Sequence, residues 1–192
     1  MIDLLYYASL AATAGTALLL HLLRLEVWPA PERPHRALLY VLLGNLWIAA
    51  NLVWGIYLSL AGPIPLVFEG LPWMGVGLAL VLVGLAISVW AWWLFRRLER
   101  LFGVRIDRLV TVGPYRYVRH PQYFALMLMT LGLSLIFNTL QLLLFALSTT
   151  AAFYISALME ERKLLAIFGQ QYRDYAAKTP RFIPRLKSGP ER

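Results

Sequence analysis

The sequence contains no cysteine, which removes disulfides, thiolate metal sites and a cysteine nucleophile together. Charge is scarce as well. Asp, Glu, Lys and Arg make up 15% of the 192 residues, against roughly 25% in soluble domains. Acidic residues are the rarer sign, 10 against 18 Lys and Arg. No internal repeat or low-complexity segment is visible, and the one Pro-rich stretch, Pro29 to Pro34, is a short connection. What remains is apolar: 60% of the residues are hydrophobic, in runs too long for a globular core. A net charge of +8 could suit nucleic acid, but the basic residues fall in three clusters between apolar spans. That distribution is the pattern of membrane topology and not of a phosphate-binding face. The first apolar run begins after Asp3 without a basic leader, so it is expected to be a retained helix.

A helix needs roughly 20 apolar residues to cross a hydrocarbon core of about 30 Å. Leu4 to Leu23 supplies one such span, Ala37 to Ala61 a second, interrupted only by Asn45 and Asn51, and Leu71 to Phe95 a third. The third is Trp-rich at both ends (Trp73; Trp90, Trp92, Trp93), as an interfacial belt would be. The 39 residues from Pro121 to Met159 carry no charge. As one straight helix they would reach about 58 Å, nearly twice the hydrocarbon thickness. They must fold back, and Asn138-Thr139 is the expected turn.

In a five-span arrangement all the basic residues fall on one face. Arg24, Arg33 and Arg36 lie in the first loop, seven arginines between Arg96 and Arg119, and the remaining eight Lys and Arg from Arg162 onward. The loop from Gly62 to Gly70 and the hairpin turn carry none. The expected fold is therefore all-α: a polytopic membrane protein with about five transmembrane helices, the last two a hairpin. The positive-inside rule puts its N-terminus outside and its C-terminus in the cytoplasm. The whole chain reads as one membrane domain. Residues 1–61 hold two N-terminal helices, and residues 71–192 form a core with cytoplasmic segments at 97–123 and 160–185.

Two polar segments flank the hairpin, so His120 and Glu160 are expected to be neighbours. In the first, Gly113-Pro114 makes a turn, and Pro121 suits the first turn of a helix, where its missing N–H does no harm. His120 then stands at a helix mouth whose free N–H groups favour anions. The second segment is expected to form a short amphipathic helix from Glu160 to Phe168, ended by Gly169. Another short helix should run through Tyr172 and Tyr175 before Pro180 and Pro184. Carboxylate, imidazole, aromatic and basic groups in one corner would suit a zwitterionic, cationic ligand bearing a flat base. Glu161 is read as balancing Arg162 and Lys163. Arg116 and Arg119 serve equally well as lipid-headgroup anchors or as ligand contacts. His21 and His35 have no evident partner, Asn45 and Asn51 suit hydrogen bonds between helices, and no metal site is expected.

The run Gly113-Pro-Tyr-Arg-Tyr-Val-Arg-His-Pro-Gln-Tyr123 is followed, after the hairpin, by Glu160-Glu161 and by Phe168-Gly169-x-x-Tyr172-x-x-Tyr175. In that order it resembles the isoprenylcysteine carboxyl methyltransferase family, and more loosely the membrane phospholipid methyltransferases. The resemblance covers about Arg97 to Pro184. It implies S-adenosylmethionine bound in a cytoplasmic pocket capped by the C-terminal segment. Carried over by position, the cofactor contacts are Asp107, Arg108, Leu109, Val110, Tyr115, His120, Pro121, Gln122, Tyr123 and Glu160, with Arg100 as a further polar contact. Animal isoprenylcysteine enzymes carry a substrate-associated arginine one helical turn before the cofactor glutamate. This chain has Ser156 there, so the prenylcysteine acceptor does not carry over while the cofactor site does. Gly75 and Gly77, similar to a glycine motif of the phospholipid enzymes, fall at the far end of their helix and are not carried over.

The reading is a membrane methyltransferase acting on a small lipophilic or lipid-like acceptor that enters from the bilayer. No residue is named as a general base, because a carboxylate or thiolate acceptor needs none. Two alternatives stand beside it: an NADPH-dependent membrane reductase of the sterol reductase type, and a non-catalytic lipid-binding protein.

Overall fold

The computed structural model describes residues 46, 49–50, 52–57, 60, 66, 71–95 and 108–184. The expected first span, the loop with Arg24, Arg33 and Arg36, Asn45, Asn51, and the site candidates Arg100 and Asp107 lie outside the described residues. Residues 52–57 are helical, within the second expected span.

The described residues are all-helical, with no β-strand among them. Helix α1 is Leu71–Phe95, α2 is Pro121–Phe137, α3 is Leu140–Phe168 and α4 is Gln170–Lys178, with a 3-10 turn at Gly113–Arg116 before α2. Helices α1 and α3 are long and apolar enough to cross a membrane. Exposed Val76, Leu78, Leu82, Leu85, Val89, Trp92 and Trp93 leave α1 without a polar face, as expected of a helix that meets lipid. This is a membrane protein.

Antiparallel α1 and α2 meet through small residues. A Cβ added at Gly77 would come within 2.6 Å of the Gly132 carbonyl oxygen, and one added at Gly84 within 2.6 Å of that of Ala125. Lipid tails offer no hydrophobic force between helices, so close backbone approach of this kind supplies the packing. Hydroxyls along the spans turn back on their own helices. Thr130 donates to the Leu126 carbonyl (3.0 Å), Ser134 to Leu131 (2.7 Å), Thr149 to Phe145 (2.7 Å) and Ser156 to Ala152 (2.8 Å). Each donor that lipid could not satisfy is thereby paired.

The chain reverses at Asn138-Thr139, as expected. Asn138 takes the left-handed conformation (φ 50°, ψ 46°) and Thr139 is extended. Asparagine is the residue besides glycine that best tolerates such a position. The Leu66 N–H donates to the Asn138 carbonyl at 3.0 Å, so Leu66 lies beside the hairpin turn. At the opposite end of α1, the Trp90 ring stands 6.2 Å from that of Tyr117. A Cβ at Gly113 (φ 63°) would press on Leu94 at 3.3 Å.

One expected boundary is wrong. Glu160 to Phe168 is not a separate helix but the continuation of α3, which runs 29 residues without a break. Nothing between Tyr154 and Phe168 is Gly or Pro, so nothing interrupts the ladder. Gly169 (φ 51°) ends it, and α4 follows at once. About 20 residues of α3, Leu140 to Met159, suffice to cross the hydrocarbon. Glu160 and Glu161 are the first residues beyond it.

Candidate functional site

Glycine at 113 and proline at 114 set a tight 3-10 turn, which delivers His120 to the N-cap of α2 with Pro121 as the first helical residue. The hairpin then returns α3 to the same level. As a result, His120 Nδ1 lies 3.5 Å from Glu160 Oε2, and His120 Nε2 lies 3.2 Å from Glu161 Oε1. The expected neighbourhood of His120 and Glu160 is present.

Consecutive carboxylates thus face both ring nitrogens of one imidazole. A neutral ring has one N–H and would leave a lone pair facing an oxygen, whereas the doubly protonated ring donates to both. Burial lowers the His120 pKa, but hydrogen bonds to Glu160 and Glu161 and their charge outweigh it, and the net shift is upward. The His120 side chain is 4% exposed. It stacks nearly parallel (9°) on Tyr123 at 5.6 Å, and Tyr123 stacks in turn on Phe153 at 5.2 Å.

Glu161 is the centre of the cluster, which corrects its reading as a counter-charge to Arg162 and Lys163. Its side chain is 13% exposed, against 36% for Glu160. Arg181 Nε and Nη2 grip its two oxygens at 2.8 Å each, and Arg119 Nη2 approaches at 3.4 Å. Burial works against the charge, yet Arg181, His120 and Arg119 hold the carboxyl down to about 2.

The segment after α4 closes one side. The Arg119 and His120 amides donate to the Pro180 (2.8 Å) and Arg181 (3.2 Å) carbonyls. The Phe182 ring lies 5.9 Å from His120 and 6.1 Å from Tyr154. Helix α4 is tied down separately, by the Tyr175 hydroxyl donating to the Tyr115 carbonyl at 2.7 Å. Burial pushes the Tyr115 and Tyr175 phenols up, and Tyr172 to about 12, so all three are neutral at neutral pH.

Among the described residues, the buried Gln122 Nε2 has no hydrogen-bond partner, while the Tyr172 hydroxyl faces the Arg119 guanidinium. Buried polar groups are normally satisfied, which sets the Gln122 amide apart from the others at this corner. Of the residues expected at the site, Tyr115, His120, Pro121, Gln122, Tyr123 and Glu160 belong to the segments that meet here. Arg108 is exposed, and Leu109 and Val110 are half-buried upstream of the turn. Glu161, Arg181, Phe182 and Tyr154 were not expected. Adjacency to Glu160 was the sequence signal for Glu161, and Arg181 and Phe182 had only their place in the C-terminal segment expected to cap the pocket. Among the described residues no group of three or more His, Asp or Glu could hold a metal.

The phospholipid methyltransferase family model matches residues 73–171, from the start of α1 into α4. Among curated proteins, the chain is 39% identical over 79 residues to a protein-S-isoprenylcysteine O-methyltransferase of Schizosaccharomyces pombe, covering 41% of this chain and 34% of that protein. It is 31% identical over 137 residues to a methanethiol S-methyltransferase of Pseudomonas deceptionensis, covering 62% and 45%. It is 34% identical over 84 residues to the cobalt-zinc-cadmium resistance protein CzcN of Cupriavidus metallidurans, covering 44% and 39%. These matches span less than half the length of each relative. No solved structure matches. With half its length matched by the family model, and with that match running through both helices of the hairpin and the His120–Glu160 corner, this chain belongs to the phospholipid methyltransferase family.

Proposed function

We propose that this chain is an integral membrane methyltransferase that uses S-adenosylmethionine to methylate a small lipophilic or lipid-like acceptor. The observation that carries the reading is the corner where His120 meets Glu160 at 3.5 Å beside the buried, unpartnered Gln122 Nε2. The family and the relatives named for S- and O-methyl transfer support it.

The residues fit such a methyl donor. When bound, S-adenosylmethionine supplies an electrophilic methyl group on a sulfonium. Glu160, the more exposed carboxylate, would hold an ammonium. The Gln122 amide and the mouth of α2 would take a carboxylate, and aromatic rings of the corner would flank a purine or cation. Tyr115, His120, Pro121, Gln122, Tyr123 and Glu160 form the proposed binding set, with Arg108, Leu109 and Val110 upstream. Arg100 and Asp107 remain assignments from sequence. Tyr123, stacked on His120 and Phe153, would hold the imidazole in place. The protein's task is alignment of donor and acceptor at near-attack distance, with water kept out; fixed geometry of this sort supplies several kcal/mol of barrier reduction.

The arrangement proposed around this site is the five-span one, with residues 1–61 forming two helices and residues 71–192 the core. The N-terminus lies outside, and the site and C-terminus face the cytoplasm. The acceptor enters sideways between helices from the bilayer.

The test uses the full chain purified in detergent. Binding of S-adenosylmethionine and of NADPH is measured by calorimetry, and methyl-labelled donor is then supplied to the protein in lipid nanodiscs. The expected result is saturable binding of S-adenosylmethionine and label moving into the organic extract. NADPH binding without S-adenosylmethionine binding would overturn the reading in favour of a reductase.

A further inference from the structure

Residues 179–182 cross the mouth of α2 with little backbone support of their own. Thr179 is extended, and Pro180 and Pro184 have no N–H to donate. The Thr179 N–H donates to the Tyr175 carbonyl (3.0 Å) at the end of α4, and the main-chain bonds that hold the residues after it are those accepted from the Arg119 and His120 amides. The remaining hold comes through side chains. Arg181 places Nε and Nη2 on the two oxygens of Glu161, sets Nη1 3.4 Å from the Tyr154 hydroxyl, and rests its guanidinium 5.4 Å from that ring's centroid.

We propose that Glu161 and Arg181 are positioning residues: their two-pronged ion pair latches residues 179–182 across the mouth of α2, and so holds His120 and Glu160 in the arrangement that binds the methyl donor. The proposal rests on the methyltransferase reading above.

The connection runs through one atom. Glu161 Oε1 faces Arg181 Nε at 2.8 Å, His120 Nε2 at 3.2 Å and Arg119 Nη2 at 3.4 Å. If the latch opens, this carboxylate loses its fork-shaped partner and is free to turn. His120 is then left with Glu160 alone, and the Arg119 and His120 amides lose their acceptors in the same motion. A guanidinium is suited to the part, because its planar fork matches both carboxylate oxygens and a lysine ammonium cannot. Helix α4 need not move, because the Tyr175–Tyr115 bond anchors it independently.

Hydrogen–deuterium exchange of the full chain in detergent, with and without S-adenosylhomocysteine, tests the latch alongside calorimetric binding of the same ligand. In the wild type the Arg119 and His120 amides should exchange slowly, and more slowly with ligand. Arg181→Ala and Glu161→Gln should each speed that exchange at least tenfold and weaken ligand binding at least tenfold, with exchange in α4 unchanged. The double variant should be no worse than the worse single, since both remove one interaction. Arg181→Lys, keeping charge without the fork, should fall between. Wild-type exchange and binding in Arg181→Ala would overturn the latch. Failure of the wild type to bind S-adenosylhomocysteine would instead sink the methyltransferase reading, and the exchange rates would then decide the latch by themselves.

Discussion

His120 Nε2 stands 3.2 Å from Glu161 Oε1 across 41 positions of chain, and that contact fixes which protonation state the corner prefers. With Glu160 on the other ring nitrogen, the imidazolium is the form both carboxylates bind.

A pH dependence with two limits follows. The folded pKa of His120 is raised, so its contribution to stability is fully present below the ordinary value near 6.5. It is lost as pH rises through the folded pKa. That of Glu161 is lowered to about 2, so its contribution is present above about 4.5 and lost as pH falls toward 2. Thermal unfolding in detergent, followed by tryptophan fluorescence, should give a Tm that declines on the alkaline side. His120→Asn should flatten that limb. An unchanged alkaline limb in this variant would remove the imidazolium from the account.

Glu160→Gln separates binding from folding. Its side chain is 36% exposed and faces the buried His120 at 3.5 Å, while Glu161 still holds the other ring nitrogen, so the substitution should lower stability by about 1 kcal/mol, as for the loss of one hydrogen bond. Affinity for S-adenosylmethionine should drop at least tenfold. Calorimetry and Tm on one preparation read both quantities. A large loss of Tm with affinity intact would reassign Glu160 to a structural role.

Gly75 and Gly77 make a matched pair. An added Cβ at Gly75 meets nothing within 4 Å, whereas at Gly77 it meets the Gly132 oxygen at 2.6 Å and Ile136 Cγ1 at 2.9 Å. Gly77→Ala should destabilise by about 1–3 kcal/mol through forced helix separation. Gly75→Ala should be neutral or stabilising by up to about 1 kcal/mol through helix propensity. Equal Tm values for the two variants would contradict the close crossing of α1 and α2.

Topology is open to a direct assay because the chain has no native cysteine. Arg116→Cys and Gln170→Cys introduce thiols at exposed positions near the site, and Asn138→Cys introduces one at the hairpin turn. An impermeant maleimide should label Asn138→Cys from outside intact cells, and the other two only after permeabilisation. The reverse labelling would invert the proposed orientation.

The bounds of α1 and the reversal at Asn138-Thr139 were legible because both follow from length against the thickness of a bilayer. An uncharged run of twice the needed length has to turn, and a polar, left-handed-tolerant residue near its middle shows where. The meeting of His120 with Glu160 then follows from connectivity alone. The continuity of α3 was not legible, because the first charges after a long apolar run mark the membrane surface and not the end of a helix. Glu161 and Arg181 were missed for a different reason. Their pairing depends on how the chain bends after Gly169 and again at Thr179, and neither periodicity nor spacing encodes the direction of those bends.

Helix α2 has 17 residues, about 25 Å of rise, roughly 5 Å short of an average hydrocarbon core. Protein groups meet both ends: the Pro180 and Arg181 carbonyls accept from the Arg119 and His120 amides at one, and the Leu66 amide donates to the Asn138 carbonyl at the other. A helix this much shorter than the hydrocarbon core can be met by thinning of the lipid beside it, which would bring headgroups closer to the His120 corner.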